Sequence, residues 1–367
     1  MSSPEPRSRS GRVGLTAAVA DAGSTCGSRV TGLLHDSTGR LDSRIRTVIA
    51  LATERGEVSG VRWRIVDPAT PAVVTALKGV DVLVWVAQDT DLQSVLGPRG
   101  RDRRARTLRT ARALVTSAAA AGVGHLVVVT SAQVYGAAAA NPVPLPEGAP
   151  LAAVRDDGLV GDLLAVEDLI NDSRTAHPAL RITVVRPAAL VGRGIDTAST
   201  RHFEAPRLLA VRGAPPAWQF CHVDDLASAV GVVIAASLGP AVTVGSEGVL
   251  QQEQVERLSG MRRIQLSETA ALATAQQLHR VGVLPTPASE LAYVLHPWAV
   301  SSASLMAHGW RPAYDNETCL GVLLEEIKGR HAMATRRVDR KDAALGAAGA
   351  AVALVGTAAL LRRARRR

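Results

Sequence analysis

Short apolar runs recur along the chain at intervals, most of them wide enough for a helix between one and the next. RVGLTAAVA (12–20), TVIALA (47–52), VRWRIVD (61–67), DVLVWVA (81–87), HLVVVTS (125–131) and RITVVRP (181–187) are rich in β-branched and aliphatic residues. Most lack the in/out alternation of a strand with one wet face, so they read as strands buried on both sides. Helical stretches lie from about Ser24 to Leu34, at about 101–121 and near 160–174. Such alternation predicts an α/β fold built on a parallel sheet. Past Pro187 the pattern loosens into loops containing Gly and Pro (192–217), then a helix from about Asp224 and AVTVGS (241–246), which is expected to return to the sheet. Residues 250–329 read mostly as short helices, so 188–329 is expected to form a second lobe threaded through the first and covering its strand ends.

The two ends read differently. Residues 1–11 (MSSPEPRSRSG) are polar and rich in Pro and Ser, which predicts a disordered leader and no secretory signal. Residues 343–361 (AALGAAGAAVALVGTAALL) carry no charge, and Thr357 is their one polar side chain. As a helix these 19 residues would be ~28 Å long at ~1.5 Å per residue, close to the apolar thickness of a bilayer. Nine Ala and three Gly also suit a soluble Ala-rich helix. Basic flanks and small residues throughout favour a membrane span, and there is no polar face for a surface-lying helix. The expectation is a basic linker (330–342), a transmembrane helix (343–361) and a basic tail (362–367), anchoring the protein at the cytoplasmic face of the cell membrane.

Composition narrows the chemistry. Hydrophobic residues make up 47% but aromatics only 3%, so the cores must be Ala, Val and Leu, with few platforms for stacking bases. The net charge of +9 sits at the C-terminal end, where 362–367 holds five arginines and 330–342 has a net +3; residues 1–329 keep only +1. Nucleic-acid binding by the body is therefore not expected. Cys26, Cys221 and Cys319 are far apart with no CxxC, which points to idle thiols in a reducing compartment and to no metal.

Four blocks then carry a resemblance: GVGHLVVVTSAQVYG (122–136), which places Ser131 and Tyr135 in a Ser-x-x-x-Tyr-Gly pattern, VVRPAALVG (184–192), FCHVDDLASAV (220–230) and HGWRP (308–312). In this order over 12–329, the chain resembles the extended short-chain dehydrogenase/reductase family, the NAD-dependent epimerase/dehydratases. Within it, the chain is similar to an actinobacterial UDP-glucose 4-epimerase-like branch. The resemblance implies a Rossmann-type doubly wound sheet over 12–187, joined by strand 241–246, with a mostly α-helical substrate lobe over 188–329. It implies NAD or NADP as cofactor, a nucleotide-sugar-like small molecule as ligand, and a homodimer through the helices at 101–121 and 160–174, with Leu164 and Ile170 contributing. It assigns cofactor contacts to Gly23, Gly27, Asp67, Ala87 and Pro187, and substrate contacts to Ser131, Tyr135 and Arg193.

The chemistry that the family resemblance implies is largely missing. There, a Ser orients the substrate, a Tyr exchanges the proton, a Lys lowers the phenol's pKa, and an Asn on the long helix completes the proton path. An unassisted phenol near pKa ~10 is a poor base at neutral pH. Ser131 is retained, but GLVGDLLAVEDLI (158–170) puts Leu159 at the Tyr position and Leu163 at the Lys position, and Arg106 falls at the Asn. The only lysines are Lys78, Lys328 and Lys341, so no shift of alignment restores the pair. Asp156, Asp157 and Asp162 are candidates for an unusual base. The cofactor loop, ADAGSTCG (20–27), keeps only Gly27 in phase, with Gly23 one place off and Asp21 at the first glycine. Such glycines let the backbone approach a pyrophosphate at a helix N-terminus. Ala52 stands at the ribose-gripping acid, with Glu54 two residues on; Ala189 replaces an Asn, and Trp218 replaces the arginine for the diphosphate, with Arg193 and Arg212 nearby. Asp225 is expected to cap its helix and His222 to be a packed core residue. Two functions follow: a catalytically degenerate binding, scaffolding or sensing module at the membrane, or an active NAD(P)-dependent epimerase, dehydratase or reductase with rearranged residues.

Overall fold

The structure is a computed structural model and describes residues 14–40, 43–92, 102–212, 216–281, 284 and 286–334. The first six predicted strands all form: β1 (Leu15–Ala20), β2 (Ile45–Ala52), β3 (Arg62–Ile65), β4 (Val82–Val86), β5 (His125–Val129) and β6 (Arg181–Pro187). Four short strands follow, β7 (Ala189–Val191), β8 (Leu208–Val211), β9 (Ala217–Trp218) and β10 (Phe220–His222), and then β11 (Ala241–Val244). One seven-stranded sheet runs β11-β6-β5-β4-β1-β2-β3, and every pairing in it is parallel. The chain winds outward from β1 through β3, then returns to the other side of β1 as β4. That reversal opens a crevice beyond the carboxyl ends of β1 and β4.

Strand side chains alternate strictly between two cores. Val19, Val84 and Val127 face one, while Leu83, Trp85, Leu126 and Val128 face the other. Helices α1 (Thr25–Asp36) and α6 (Val223–Ala236) cover the first face. The second is covered by α3 (Arg103–Ala121) through Leu114 and Ala118, and by α4 (Leu159–Ala176) through Val166 and Ile170. One-turn helices α2 (Val73–Ala76) and α5 (Ala198–Arg201) complete this half. Leu164 and Ile170 are both 0% exposed, which corrects their expected place in a dimer contact: they are consumed inside the chain's own cores.

In the second lobe, β10 pairs with β7, β12 (Leu250–Gln251) with β9, and β13 (Arg263–Leu266) with β8. Around them lie α7 (Gln252–Ser259), α8 (Glu268–Arg280), α9 (Ala292–Leu295), α10 (Ala303–Ala307) and α11 (Asn316–Ala334). The blocks at 220–230 and 308–312 meet here. Asp225 does not cap its helix, because α6 begins at Val223 and its N-cap is His222, whose Nδ1 accepts the Asp224 N–H at 3.2 Å. Asp225 accepts instead from the Ala313 and Tyr314 N–H groups at 2.7 and 3.1 Å, and Trp310 Nε1 donates to Ser228 Oγ at 2.9 Å. His222 is buried and stacks on Tyr314 at 3.8 Å. All three cysteines are buried and free.

Helix α11 runs on into the expected linker, where Arg330 pairs with Glu204 at 2.9 Å. The predicted span at 343–361, with its tail, and the leader at 1–11 lie outside the described residues. Among the described residues, no helix is long and apolar enough to cross a membrane.

Candidate functional site

A cavity of about 160 Å³ opens at the carboxyl ends of β4, β5 and β6. Ala87 and Gln88 after β4, Gln133 after β5 and Ala189 in β7 meet the first turn of α4, where Leu159 and Leu163 line the wall. Residues 197–202 close one side, and the segment from Pro287 to Val294 closes another. Thr107 lines the cavity, whereas Arg106, the expected helix Asn position, lies outside the lining and is exposed.

The α4 N-terminus would leave its first N–H groups unpaired, because the N-cap is Gly158 and offers no side chain. Glu290 supplies the acceptor from the second lobe: its Oε1 accepts from Leu159 N at 2.5 Å and, more weakly, from Val160 N at 3.4 Å. Burial pushes the Glu290 carboxyl up to about 7, against the pull of those two N–H groups. The three aspartates considered as unusual bases are engaged or remote. Asp162 is clamped by Arg103 Nε at 2.5 Å and Arg104 Nε at 2.7 Å. Asp156 accepts from the Gly158 N–H at 2.9 Å and from the Ser289 hydroxyl. Asp157 is exposed, and its carbonyl accepts from Arg103 at 2.6 Å.

Ser131 is 1% exposed and lies outside the cavity lining; its Oγ accepts the Gln133 N–H at 3.2 Å, which caps the short turn Ala132–Tyr135. Tyr135 is buried. Its hydroxyl donates to the Glu147 carbonyl at 2.6 Å and accepts from Arg186 at 2.8 Å. Arg186 in turn holds Glu167, at 3.0 Å through Nε and 2.5 Å through its second terminal nitrogen. The Ser-x-x-x-Tyr block therefore serves a buried ion-pair network that joins β6 to α4. Ala87 lines the cavity, while Pro187, at the end of β6, does not. Arg193 and Arg212 are exposed, and Trp218 is buried with its Nε1 donating to Gln252 Oε1 at 2.9 Å.

The turn between β1 and α1 is where a dinucleotide pyrophosphate would sit. Asp21 has φ of 57°, a left-handed conformation that Gly or Asp tolerates. Gly27 is demanded by packing, since a Cβ there would lie 2.3 Å from the Asp21 carbonyl oxygen. Ser24 turns inward: its Oγ accepts the Gly27 N–H at 3.1 Å and donates to Asp21 O at 2.9 Å. One of the donors that a phosphate would use is thus already taken. Burial raises the Asp21 carboxyl, and it raises Asp89 as well, helped by the charges of Asp91 and Asp21. Gly23 has room beside Ala52, Ala52 itself is buried, and Asp67 spends one oxygen on the Ala69 N–H at 2.9 Å. The turn keeps the glycine-backed helix start at which a dinucleotide pyrophosphate is held, with the Gly27 donor taken by Ser24 and the Asp21 and Asp89 carboxyls nearby.

Sequence reasoning missed the groups that give the cavity its chemistry. Glu290 lies 131 positions from the backbone it caps. His202 is 3% exposed and is counted in the cavity lining, and among the described residues neither ring nitrogen has a hydrogen-bond partner; burial pushes it down to about 4, so it is neutral. Gln88 Oε1 is likewise buried without a partner. No local pattern marks any of them.

Comparison with known proteins agrees with this architecture. The chain is 24% identical over 141 residues to the uncharacterized protein Rv0501 of Mycobacterium tuberculosis, and the match covers 38% of each chain. The structure is similar to that of MoeE5 in complex with UDP-glucuronic acid and NAD, with a TM-score of 0.61 and 16% identity over 86% of this chain and 99% of that one. The UDP-glucose 4-epimerase of Thermotoga maritima with UDP-glucose also matches, with a TM-score of 0.61 and 13% identity over 86% of this chain and 100% of that one. At such identities the likeness speaks for the fold alone. The family described as NAD(P)H-binding matches residues 22–205, and the chain belongs to that family.

Proposed function

We propose that this protein has kept the family's architecture as a small-molecule-binding module and has given up hydride transfer, and that residues 343–361 tether it to the cytoplasmic face of the membrane. The observation that carries the reading is the pair Leu159 and Leu163 in the cavity wall, where the resemblance places the proton-exchanging Tyr and its Lys. Neither leucine can hold or move a proton. Two further features support it: the Ser131 hydroxyl is committed to Gln133, and the pyrophosphate turn is occupied by Ser24 and Asp21. The sheet, the helices and the cavity persist because they are held by apolar cores and buried ion pairs that do not depend on catalysis.

One observation favours a second reading, an active enzyme with a different acid. Glu290 lines the cavity beside Leu159, with a carboxyl near 7 that suits proton exchange at neutral pH. Calorimetry with NADH, NADPH and UDP-glucose, paired with a turnover assay, separates the two. The module reading expects no turnover with any combination; turnover abolished by Glu290→Gln would establish the second.

A further inference from the structure

The wall that the second lobe gives the cavity changes character at Tyr293. From Tyr293 to Val300 every residue is buried. That stretch is tied down along its length: Tyr293 OH donates to Gln133 O at 2.9 Å, Trp298 Nε1 to Tyr293 O at 2.8 Å, and Val300 N to Gln219 Oε1 at 2.8 Å. Just before it, residues 286–292 are half-buried except for one side chain, and the buried one is Glu290. Leu291 is the one large apolar side chain in this piece, and it is only partly buried. A segment of this make-up is held by its polar contacts more than by apolar burial.

Those contacts converge on the start of α4. Glu290 Oε1 takes the Leu159 and Val160 N–H groups, and the Ser289 hydroxyl donates to Asp156. The helix cannot satisfy these two donors itself, since its own first bond runs from Asp162 N to Gly158 O at 3.1 Å. Gly158 has φ of −73°, which any residue adopts, so the backbone does not demand glycine there. Space does: a Cβ would stand 2.5 Å from Glu290 Oε1 and 2.9 Å from Asp156 Oδ1.

We propose that residues 286–292 form a strap over the cavity, hinged where the buried stretch begins at Tyr293, and that Glu290, seated against Gly158 and the α4 N-terminus, is its latch. The strap governs entry whether the cavity holds its ligand or transforms it, so this goes beyond both readings of the function. Proton loss weakens the latch. The carboxyl sits at about 7 when closed and returns to the ordinary 4.5 once the strap lifts into water. The closed state is therefore favoured in full below about pH 4.5, and the preference is lost as pH rises through about 7. Among the groups around it, Asp156 raises the carboxyl and Arg103 of α3 lowers it. Asp162 of α4 is spent on Arg103 and Arg104, and Tyr293 stays neutral because burial raises its phenol. Helix α8 packs on the same turn, but it directs His279 to Leu284 O and Glu268 to His296, and Arg280 is exposed. Opening is a local excursion that leaves the core of α4 folded.

Residue-resolved amide hydrogen exchange on the full chain tests the latch. The Leu159 and Val160 N–H groups exchange when the strap lifts, whereas those of Val166 and Ile170 exchange when α4 unfolds. After correction for intrinsic rates, protection at Leu159 and Val160 is expected to fall at least about tenfold between pH 5 and pH 8, with Val166 and Ile170 unchanged. Glu290→Gln should hold its protection across that range, and Gly158→Ala should lose about tenfold already at pH 5. Entry is read in a Leu163→Cys background, because Leu163 lines the cavity at 6% exposure and the native cysteines are buried. The iodoacetamide labelling rate of the introduced thiol is divided by the rate in the same background carrying Glu290→Gln, which cancels the thiol's own titration. That ratio should rise at least about tenfold from pH 5 to pH 8. Protection at Leu159 and Val160 that tracks Val166 and Ile170, that matches Glu290→Gln at pH 8, or that survives Gly158→Ala overturns the latch. A flat labelling ratio overturns the strap. Neither measurement involves a nicotinamide, a sugar nucleotide or turnover, so its failure leaves the functional reading where it stands.

Discussion

Leu159 N–H donates to Glu290 Oε1 at 2.5 Å, joining the first turn of α4 to a residue 131 positions away in the second lobe. Leu159 thus contributes its backbone to the site, while its side chain contributes only apolar wall. The carboxylate replaces the missing side-chain cap at Gly158.

That cap has a pH signature. The Glu290 carboxyl is raised from 4.5 to about 7 by burial, so as pH rises the unfolded chain releases its proton first. The group's contribution is fully present below the unfolded value and is lost as pH rises through the folded one, on the order of 3 kcal/mol in all. Glu290→Gln keeps an acceptor and removes the charge. Its melting temperature should match wild type near about pH 4.5 and exceed it above about pH 8, where the penalty is complete. His125 and His202, both pushed down to about 4, act in the opposite sense, losing stability as pH falls below 6.5, but they are common to both proteins.

The network Tyr135–Arg186–Glu167 makes a second prediction. Glu167 is 2% exposed, accepts from Thr130 Oγ1 at 2.8 Å and holds Arg186 through both carboxylate oxygens. Glu167→Ala leaves a buried guanidinium without its partner and should cost about 3–5 kcal/mol in urea unfolding. Tyr135→Phe removes a hydroxyl with two partners and should cost about 1–2 kcal/mol.

Restoring the lost groups one set at a time should separate binding from chemistry. Leu159→Tyr with Leu163→Lys is expected to give no turnover, because Ser24 still holds the Gly27 N–H and Asp21 still stands in the turn before α1. Asp21→Gly with Ser24→Gly should tighten NADH binding at least about tenfold in calorimetry, at a capping cost of only a few tenths of a kcal/mol. Unchanged NADH affinity in that variant would contradict the assignment of the turn.

Most of the sheet was legible because its strands are buried on both faces and so advertise themselves as unbroken apolar runs. The site was not, for reasons that individual residues show. Asp225 looked like a cap because helix boundaries shift by one or two residues, and a start at Val223 hands the cap to His222. Thr107 lines the cavity where an ungapped count pointed to Arg106. Tyr135 sits in a recognisable motif, yet it is held by Arg186 and the Glu147 carbonyl, contacts 51 and 12 residues away. Gln88, His202 and Glu290 converge only through the tertiary fold, and nothing in their local sequence separates them from surface polar residues.

The tether is tested by fractionation. Removing residues 343–367 is expected to move the protein from the membrane pellet to the soluble fraction; an unchanged distribution rules out the span.

The central claim is that this family member no longer transfers hydride. Its most direct measurement incubates the full chain, at stoichiometric concentration, with saturating NAD and UDP-glucose and follows both nicotinamide absorbance and the sugar-nucleotide products by chromatography, because an epimerase or dehydratase returns its hydride and leaves no net reduced nicotinamide. The account predicts no reduced nicotinamide and UDP-glucose recovered unchanged. Reduced nicotinamide or a converted sugar nucleotide, formed at a rate proportional to protein, would contradict it.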